Sequence, residues 1–337
     1  MKNSKTSFGI VAAAFSALAI SIIACTPVKR GEYVTGSATL FCDDGFRRII
    51  DEEIEVFEYT YPQSSVIPFF VSEQEALDTL LADHTQAIIT TRELTKEQIE
   101  FMRAKYKRVV RQQPIAVDAV ALIINKDNPV DALSMEQIRQ ILNGEISHWN
   151  QLVVNDTAAI KIVFDHSGSS TVSYLRDNFL PEGKTISELA NAYAQKNNAE
   201  VFDIVKQDKD ALGVISVSWL GDDLSVAKNV PVDKRMEEYQ NETDTIATNL
   251  TTEVKILKVS NPTEENDFSL VPYAPYQAYI YSGEYPLVRK VYMISTASKS
   301  TVLNSFYVFM TGFVGQKIIS RTGILPYHMN PRVVQII

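Results

Sequence analysis

The chain is almost without cysteine: two in 337 residues, and one of them, Cys25, directly follows an apolar N-terminal stretch. Cys42 is then the one cysteine left to the fold, which excludes an intrachain disulfide and any cysteine-based metal site. Cys42 is expected to be a small buried apolar residue at a strand end. Histidine is nearly as scarce, with four in the chain, and His84, His148 and His328 stand alone. No H-E-x-x-H or clustered His/Asp spacing is present, so no metal is expected. G-x-S-x-G is absent too. Ser167, Ser169 and Ser170 lie beside His166 but have Gly168 on one side only, so a hydrolase elbow is missing and no enzyme is expected. Basic charge is also short, 32 Lys and Arg against 41 Asp and Glu. Loss of residues 1–24 removes Lys2 and Lys5 and no acid, leaving 30 against 41. Nucleic-acid binding is therefore not expected, and any bound anion must be held locally by hydrogen bonds. Internal repeats and low-complexity tracts are absent.

What is present is apolar sequence enough for a full core, 45% of the residues, over a length that fits two domains. The first 24 residues stand apart from it. Lys2 and Lys5 precede the apolar stretch Phe8–Ala24, and Ile22-Ile23-Ala24-Cys25 resembles a lipobox, cut before a cysteine that is lipidated. A transmembrane anchor is the alternative, against which stand the shortness of the segment and the polar Ser16 and Ser21. Residues 25–32 read as a tether.

Strand, polar turn and helix then recur. Val34–Cys42 alternates, ends in Asp43-Asp44-Gly45, and gives way to helical spacing from Phe46 to Phe57. Val66–Val71 is followed by Ser72-Glu73-Gln74-Glu75, a capping-box pattern before the helix Ala76–Leu81. Ala87–Ile89 runs into Thr90-Thr91-Arg92 and the helix Thr95–Lys105. Such units predict a mostly parallel α/β sheet with ligands at the carboxyl ends of its strands. Ile115–Asn125 is apolar except for Asp118, as for a strand buried on both faces. Asp118 must then either anchor backbone N–H groups or face a wet cleft. Helices are predicted over Met135–Leu142, Ile186–Lys196, Val302–Thr311 and around Gly315–Arg321. Strands are predicted over Gly213–Trp219, Val254–Val259 and Pro286–Ser295, with a polar surface excursion at Pro231–Thr252 and a loop at Asn261–Asp267.

The pattern centres on Lys161–Phe179, KIVFDHSGSSTVSYLRDNF. A strand ending at Phe164 meets a turn rich in hydroxyls, and a helix begins at Ser169, Ser170 or Thr171. A helix start offers unpaired N–H groups and a positive dipole end, and small hydroxyl residues let an anion approach closely. Ordinary capping by one serine accounts for the same pattern more simply.

Several stretches together resemble a known family, the phosphate-binding lipoproteins that serve ATP-driven phosphate importers. They are AIITTRELT (87–95), PIAVDAVALIINKDNPV (114–130), ILNGEISHWNQL (141–152), IVFDHSGSSTVSYLRD (162–177), GVISVSWL (213–220), YPLVRKVYMI (285–294) and GFVGQKIISRTGILP (312–326). The resemblance implies a two-lobed type 2 periplasmic-binding fold whose lobes are joined by two crossing strands. Lobe one would be residues 33–118 plus 288–337 and lobe two 119–287, hinged near Ala116–Val120 and Leu287–Met293. Inorganic phosphate would sit between them, on Asp43, Asp44, Gly45, Ser72, Thr90, Thr91, Arg92, Ser169, Ser170 and Thr171. Asp43, Asp44 or Asp118 would accept a proton from hydrogen phosphate and so reject sulfate. The better-known members of that family carry Arg…Ser-Gly-Thr at the central turn. Here the glycine's place is Ser170 and the arginine's falls near Asp165, which leaves Arg92 as the guanidinium for the anion. The resemblance further implies a monomer without cofactor, periplasmic and lipid-anchored through Cys25, that docks on an ABC permease of the inner membrane. The alternative is a binder or sensor of another oxyanion, such as sulfate or tungstate.

Overall fold

A computed structural model describes residues 35–153, 157–221, 229–241, 250–261 and 271–328. The leader, Cys25, the tether and nearly all of the expected Asn261–Asp267 loop lie outside the described residues. β1 (Gly36–Asp43) leads through a short 3-10 turn, Asp44–Phe46, into α1 (Arg47–Thr60). β2 (Ser64–Val71) leads into α2 (Glu73–Leu81), and β3 (Ala87–Thr90) into α3 (Lys96–Tyr106). β1 pairs in parallel with both β2 and β3. All three strands therefore end on the same edge, where Asp43, Ser72 and Thr90 gather.

The sheet is organised by one long strand, β4 (Arg111–Ile124). From Arg111 to Ala119 it pairs antiparallel with β11 (Val288–Ser295), and from Val120 onward with β8 (Ala211–Ser216). One half-sheet thus runs β2-β1-β3-β11-β4 and the other β4-β8-β6-β7, with β6 at Lys161–Phe164 and β7 at Ala192–Ala194. Continuous burial of Ala119–Ile124 matches the apolar run in the sequence, because a strand at the centre of a sheet covered on both faces has no solvent side. The helices α4 (Met135–Leu142), α5 (Ser170–Phe179) and α6 (Asn198–Gln207) belong to the second half. After α8 (Gln277–Ser282), in the first half α9 (Val302–Met310) packs against β1 and β2, and α10 (Phe313–Arg321) against α9 and α1.

Four expectations need correction. The predicted helix Ile186–Lys196 is a 3-10 turn at Ile186–Glu188 followed by β7, which pairs in parallel with β6. Its alanines favour helix locally, but an edge position beside β6 offers backbone partners and overrides that propensity. Val254–Val259 is two short strands, β9 (Lys255–Ile256) on β4 and β10 (Lys258–Ser260) on β5 (Ala132–Ser134). Of the expected capping box at α2, only the serine's half forms among the described residues, with Ser72 Oγ accepting the Glu75 N–H at 3.1 Å. The polar stretch after Pro231 contains a helix, α7 (Val232–Gln240).

Although α7 lies in the sequence between strands of the second half-sheet, it packs on α1 and α10 of the first. The contact combines a small apolar cluster, Val232, Met236 and Tyr239 against Val56 and Ile318, with buried ionic partners that hydropathy assigns to the surface. Arg235, buried, pairs with buried Glu52 and with Glu55, and Tyr239 donates its O–H to Glu52 at 2.8 Å. Arg321 closes the group, 3.0 Å from Glu238 and stacked over the Tyr239 ring.

Candidate anion site

The site lies where the ends of β1, β2 and β3 meet the start of α5. Asp43 joins the two sides. Its Oδ1 accepts the Gly45 N–H at 2.7 Å and its Oδ2 accepts the Ser170 N–H at 2.8 Å, so the carboxylate sits on the first turn of α5. Residue 45 must be glycine for this, since a Cβ there would stand 2.9 Å from Asp43 Oδ1. Across the same gap the Gln74 N–H donates to the Gly168 carbonyl at 3.3 Å, and a Cβ on Gly168 would press on Ser72 at 3.2 Å. Trp219 Nε1 donates to the Gly45 carbonyl at 2.9 Å. The two halves are thus in contact around the site.

Glu73, which sequence reasoning read only as part of a cap, is buried and organises the end of β3. One of its oxygens accepts from Thr90 Oγ1 at 2.7 Å, Thr91 N at 2.8 Å and Thr91 Oγ1 at 2.7 Å. The other accepts Arg92 Nε at 2.9 Å, while Arg92 Nη2 reaches Gln74 Oε1 at 2.9 Å. Burial works to raise the Glu73 pKa, but these hydrogen bonds and the Arg92 charge outweigh it and hold the group below its usual range. Thr90, Thr91 and Arg92 therefore come together as expected, yet their donors are directed at a protein carboxylate. Of the Arg92 guanidinium, Nε serves Glu73 and Nη2 serves Gln74, and the side chain is 31% exposed.

The buried guanidinium of the site is instead Arg289, on β11. It stands directly opposite Asp118 in the β4–β11 register. Its Nε and Nη2 donate to Asp118 Oδ2 at 2.9 and 2.8 Å, and Ser216 Oγ donates to Asp118 Oδ1 at 2.8 Å. Asp118 is fully buried, and besides the arginine and the hydroxyl it accepts the backbone N–H of Ala119. Arg289 Nη1, fully buried, makes no hydrogen bond. Burial disfavours its charged form, but Asp118, Asp43 and Glu73 more than compensate and raise its pKa. One signal could have narrowed the search: Asp118 is the charge that interrupts the Ile115–Asn125 run, and Arg289 and Lys290 are those that interrupt Pro286–Ser295.

At the start of α5, Ser169 is the cap. Its Oγ accepts the Val172 N–H at 3.2 Å and donates to Asp165 Oδ1. Ser170 Oγ and Thr171 Oγ1 are fully buried and make no hydrogen bond. Asp165, buried where an arginine was missed in the sequence, also accepts from Asn198 Nδ2 at 3.2 Å. Burial above all pushes its carboxyl up to about 7, with Asp43 adding to the shift. Burial likewise raises Asp43 to about 6, Glu73 adding and Arg289 opposing. Asp44 turns away to Arg47, 2.8 Å from its Nε. A cluster of three or more His, Cys, Asp or Glu spaced to hold a metal does not occur among the described residues.

Chemically, the start of α5 offers a dipole end and two hydroxyls without protein partners, beside two carboxyls with raised pKa on which the charge of Arg289, its Nη1 also unpartnered, acts. Such a set suits a small oxyanion that carries a proton of its own.

Comparison with known proteins agrees with this chemistry. The chain is 26% identical over 244 residues to the phosphate-binding protein PstS of Borreliella burgdorferi, covering 70% of this chain and 71% of that one. It is 22% identical over 217 residues to the PstS of Pseudomonas aeruginosa, covering 61% and 66%. Among solved structures it resembles an ABC-type phosphate transport receptor from Vibrio cholerae, with a TM-score of 0.58, 20% identity, and 86% and 100% of the two chains covered. A structure from Clostridium perfringens, described as a phosphate ABC transporter substrate-binding protein with bound phosphate, gives a TM-score of 0.64 at 19% identity, covering 86% and 99%. The family model described as the PBP superfamily domain matches residues 29–312, and the chain belongs to that superfamily, with its two-lobed periplasmic-binding fold.

Proposed function

We propose that this chain is a lipid-anchored periplasmic substrate-binding protein that captures inorganic phosphate between two lobes and delivers it to an ABC importer. The relatives are named as phosphate-binding and phosphate-transport proteins, not enzymes, which supports the reading. The observation that carries it is the set of buried donors without a protein partner: Ser170 Oγ, Thr171 Oγ1 and Arg289 Nη1. An unpaired buried donor costs about 1–3 kcal/mol, so two of them at the start of α5, with a third on Arg289, whose charge acts on Asp43 and Asp165, imply a ligand that satisfies them.

In this reading Arg289 supplies the charge that the central turn lacks, reaching in from the crossing strand. Asp43 and Asp165 accept the phosphate's own proton, which sulfate does not have at neutral pH. Asp118 acts one step back, fixing the guanidinium. Glu73 holds Thr90-Thr91-Arg92 as a rigid wall rather than as ligands. The lobes are residues 33–118 plus 288–337 and 119–287, except that α7 moves with the first. The switch of β4 pairing between Ala119 and Val120 supports a hinge there. Calorimetric titration of residues 26–337 with phosphate tests the proposal. One-to-one binding lost in Ser170→Ala/Thr171→Ala supports it, and undiminished binding by that variant moves the ligand elsewhere.

A further inference from the structure

The ligand edge of the first half-sheet is acidic, but its opposite edge is not. Between residues 103 and 111 the sequence RAKYKRVVR places Arg103, Lys105, Lys107, Arg108 and Arg111 with no acid among them, in a chain of net charge −9. The segment begins in the last turn of α3, continues past Lys107, which adopts a left-handed conformation at φ 59°, and ends at the first residue of β4. Favourable interaction of cations with a helix C-terminus accounts for Arg103 and Lys105. It does not account for Lys107, Arg108 and Arg111, which lie beyond the helix.

Arg108 is tied to Asp83, at 2.9 and 3.1 Å, and Arg111 to the Ala297 carbonyl, which brings exposed Lys299 to the same edge. Arg103, Lys105 and Lys107 are exposed and form no salt bridge among the described residues. Lys105 lies over the rings of Phe101 and Tyr106. Amid these cations Val109 is 68% exposed and Phe101 44%. Basic side chains surrounding exposed apolar ones are the composition of a surface that meets anionic headgroups and seats an apolar side chain among them.

Chain geometry indicates which anionic surface. Ser37 and Thr39, at the start of β1, line the same open cleft as Asp83 and Arg108. The polypeptide therefore enters the fold on this edge, and the roughly ten residues between Cys25 and β1 span at most about 35 Å. We propose that the 103–111 face, with Lys299, docks on the anionic phospholipid surface to which the chain is tethered while the protein is not engaged with the importer. The inference rests on the lipid-anchor reading, since the tether is what holds this face near the bilayer.

The test uses residues 26–337 without lipid, so that the face and not the anchor is read. Co-sedimentation is measured with phosphatidylcholine vesicles and with vesicles containing about one third phosphatidylglycerol, at about 0.1 M salt where charges act over about 10 Å. Binding to the anionic vesicles alone is expected, fading as salt is raised. Arg103→Glu/Lys105→Glu/Lys107→Glu should lower the partition coefficient by about 100-fold or more, with circular dichroism and phosphate binding unchanged. Equal binding to both vesicle types, an unaffected triple variant, or capture by soluble polyglutamate but not by vesicles would each overturn the proposal. Mass spectrometry of the peptide bearing Cys25, from the chain expressed with its leader, tests the anchor separately. An unlipidated Cys25 with vesicle binding intact would refute the anchor and leave the face.

Discussion

Replacing Arg289 and Asp118, singly and together, separates a structural ion pair from a ligand-binding one. Asp118 is fully buried, and Arg289 is 7% exposed. Arg289→Met removes both charge-assisted bonds to Asp118 Oδ2 and leaves a buried carboxylate with the Ser216 hydroxyl as its side-chain partner. Breaking a buried pair this way costs about 3–5 kcal/mol. Asp118→Leu/Arg289→Met removes both charges and fills the volume, so stability should return to within about 1–2 kcal/mol of the parent, because apolar replacement of a buried pair is often neutral. Phosphate affinity should not return with it. Loss of a charged hydrogen bond from Nη1 is worth about 1.5–3 kcal/mol, or about 10- to 100-fold in Kd. Urea unfolding reads the first quantity and calorimetry at pH 7 the second. A double variant that recovers stability and also binds phosphate like the parent would refute the assignment of Arg289 to the ligand.

Other outcomes follow from the buried acids and from α7. Asp43 and Asp165 are held at about 6 and about 7, above the ordinary 3.8, so the ligand-free fold keeps protons that the unfolded chain gives up. Stability should therefore fall as pH rises from about 4 to 7, and Asp165→Asn should flatten that fall; a wild-type profile level over the same range in urea titrations contradicts the burial argument. Glu53 is fully buried with neither carboxyl oxygen hydrogen-bonded, and burial, with Glu52 adding, raises its pKa well above the usual value. Glu53→Leu should raise stability at pH 7 by about 1–3 kcal/mol, more at pH 8 than at pH 5, and a destabilised variant at all three would show an unrecognised partner. Tyr239→Phe removes the hydrogen bond to Glu52 and should cost about 1.5 kcal/mol or more by thermal unfolding. No change would mean that the Tyr239–Glu52 hydrogen bond adds nothing to what holds α7.

The alternation of β1, the apolar runs of β4 and β11 and the helical spacing of α4 were legible because each is a local pattern set by burial. α4 was delimited to the residue, Met135–Leu142. The start of α5 was legible as well, since a serine cap announces itself by composition. Partnerships were not. Whether Arg289 is a surface cation or a buried one depends on the β-register that sets it against Asp118, which lies 171 residues away in the sequence. Glu73 occurs in a capping pattern, and nothing in that pattern reveals that Thr90, Thr91 and Arg92 fold onto its carboxylate. Arg92 was the natural guanidinium in the sequence because it follows the end of a strand; that its Nε and Nη2 meet Glu73 and Gln74 depends on α2 packing beside β3. α7 escaped because it buries an arginine and a tyrosine through ion pairing, and hydropathy assigns such residues to the surface.

The most direct test of the central claim is calorimetric titration of residues 26–337 at pH 7, first with phosphate and then with sulfate. The account predicts one-to-one phosphate binding at micromolar Kd or tighter, about −8 kcal/mol, with no heat from sulfate. Sulfate binding as strongly as phosphate, or silence toward both, would contradict it.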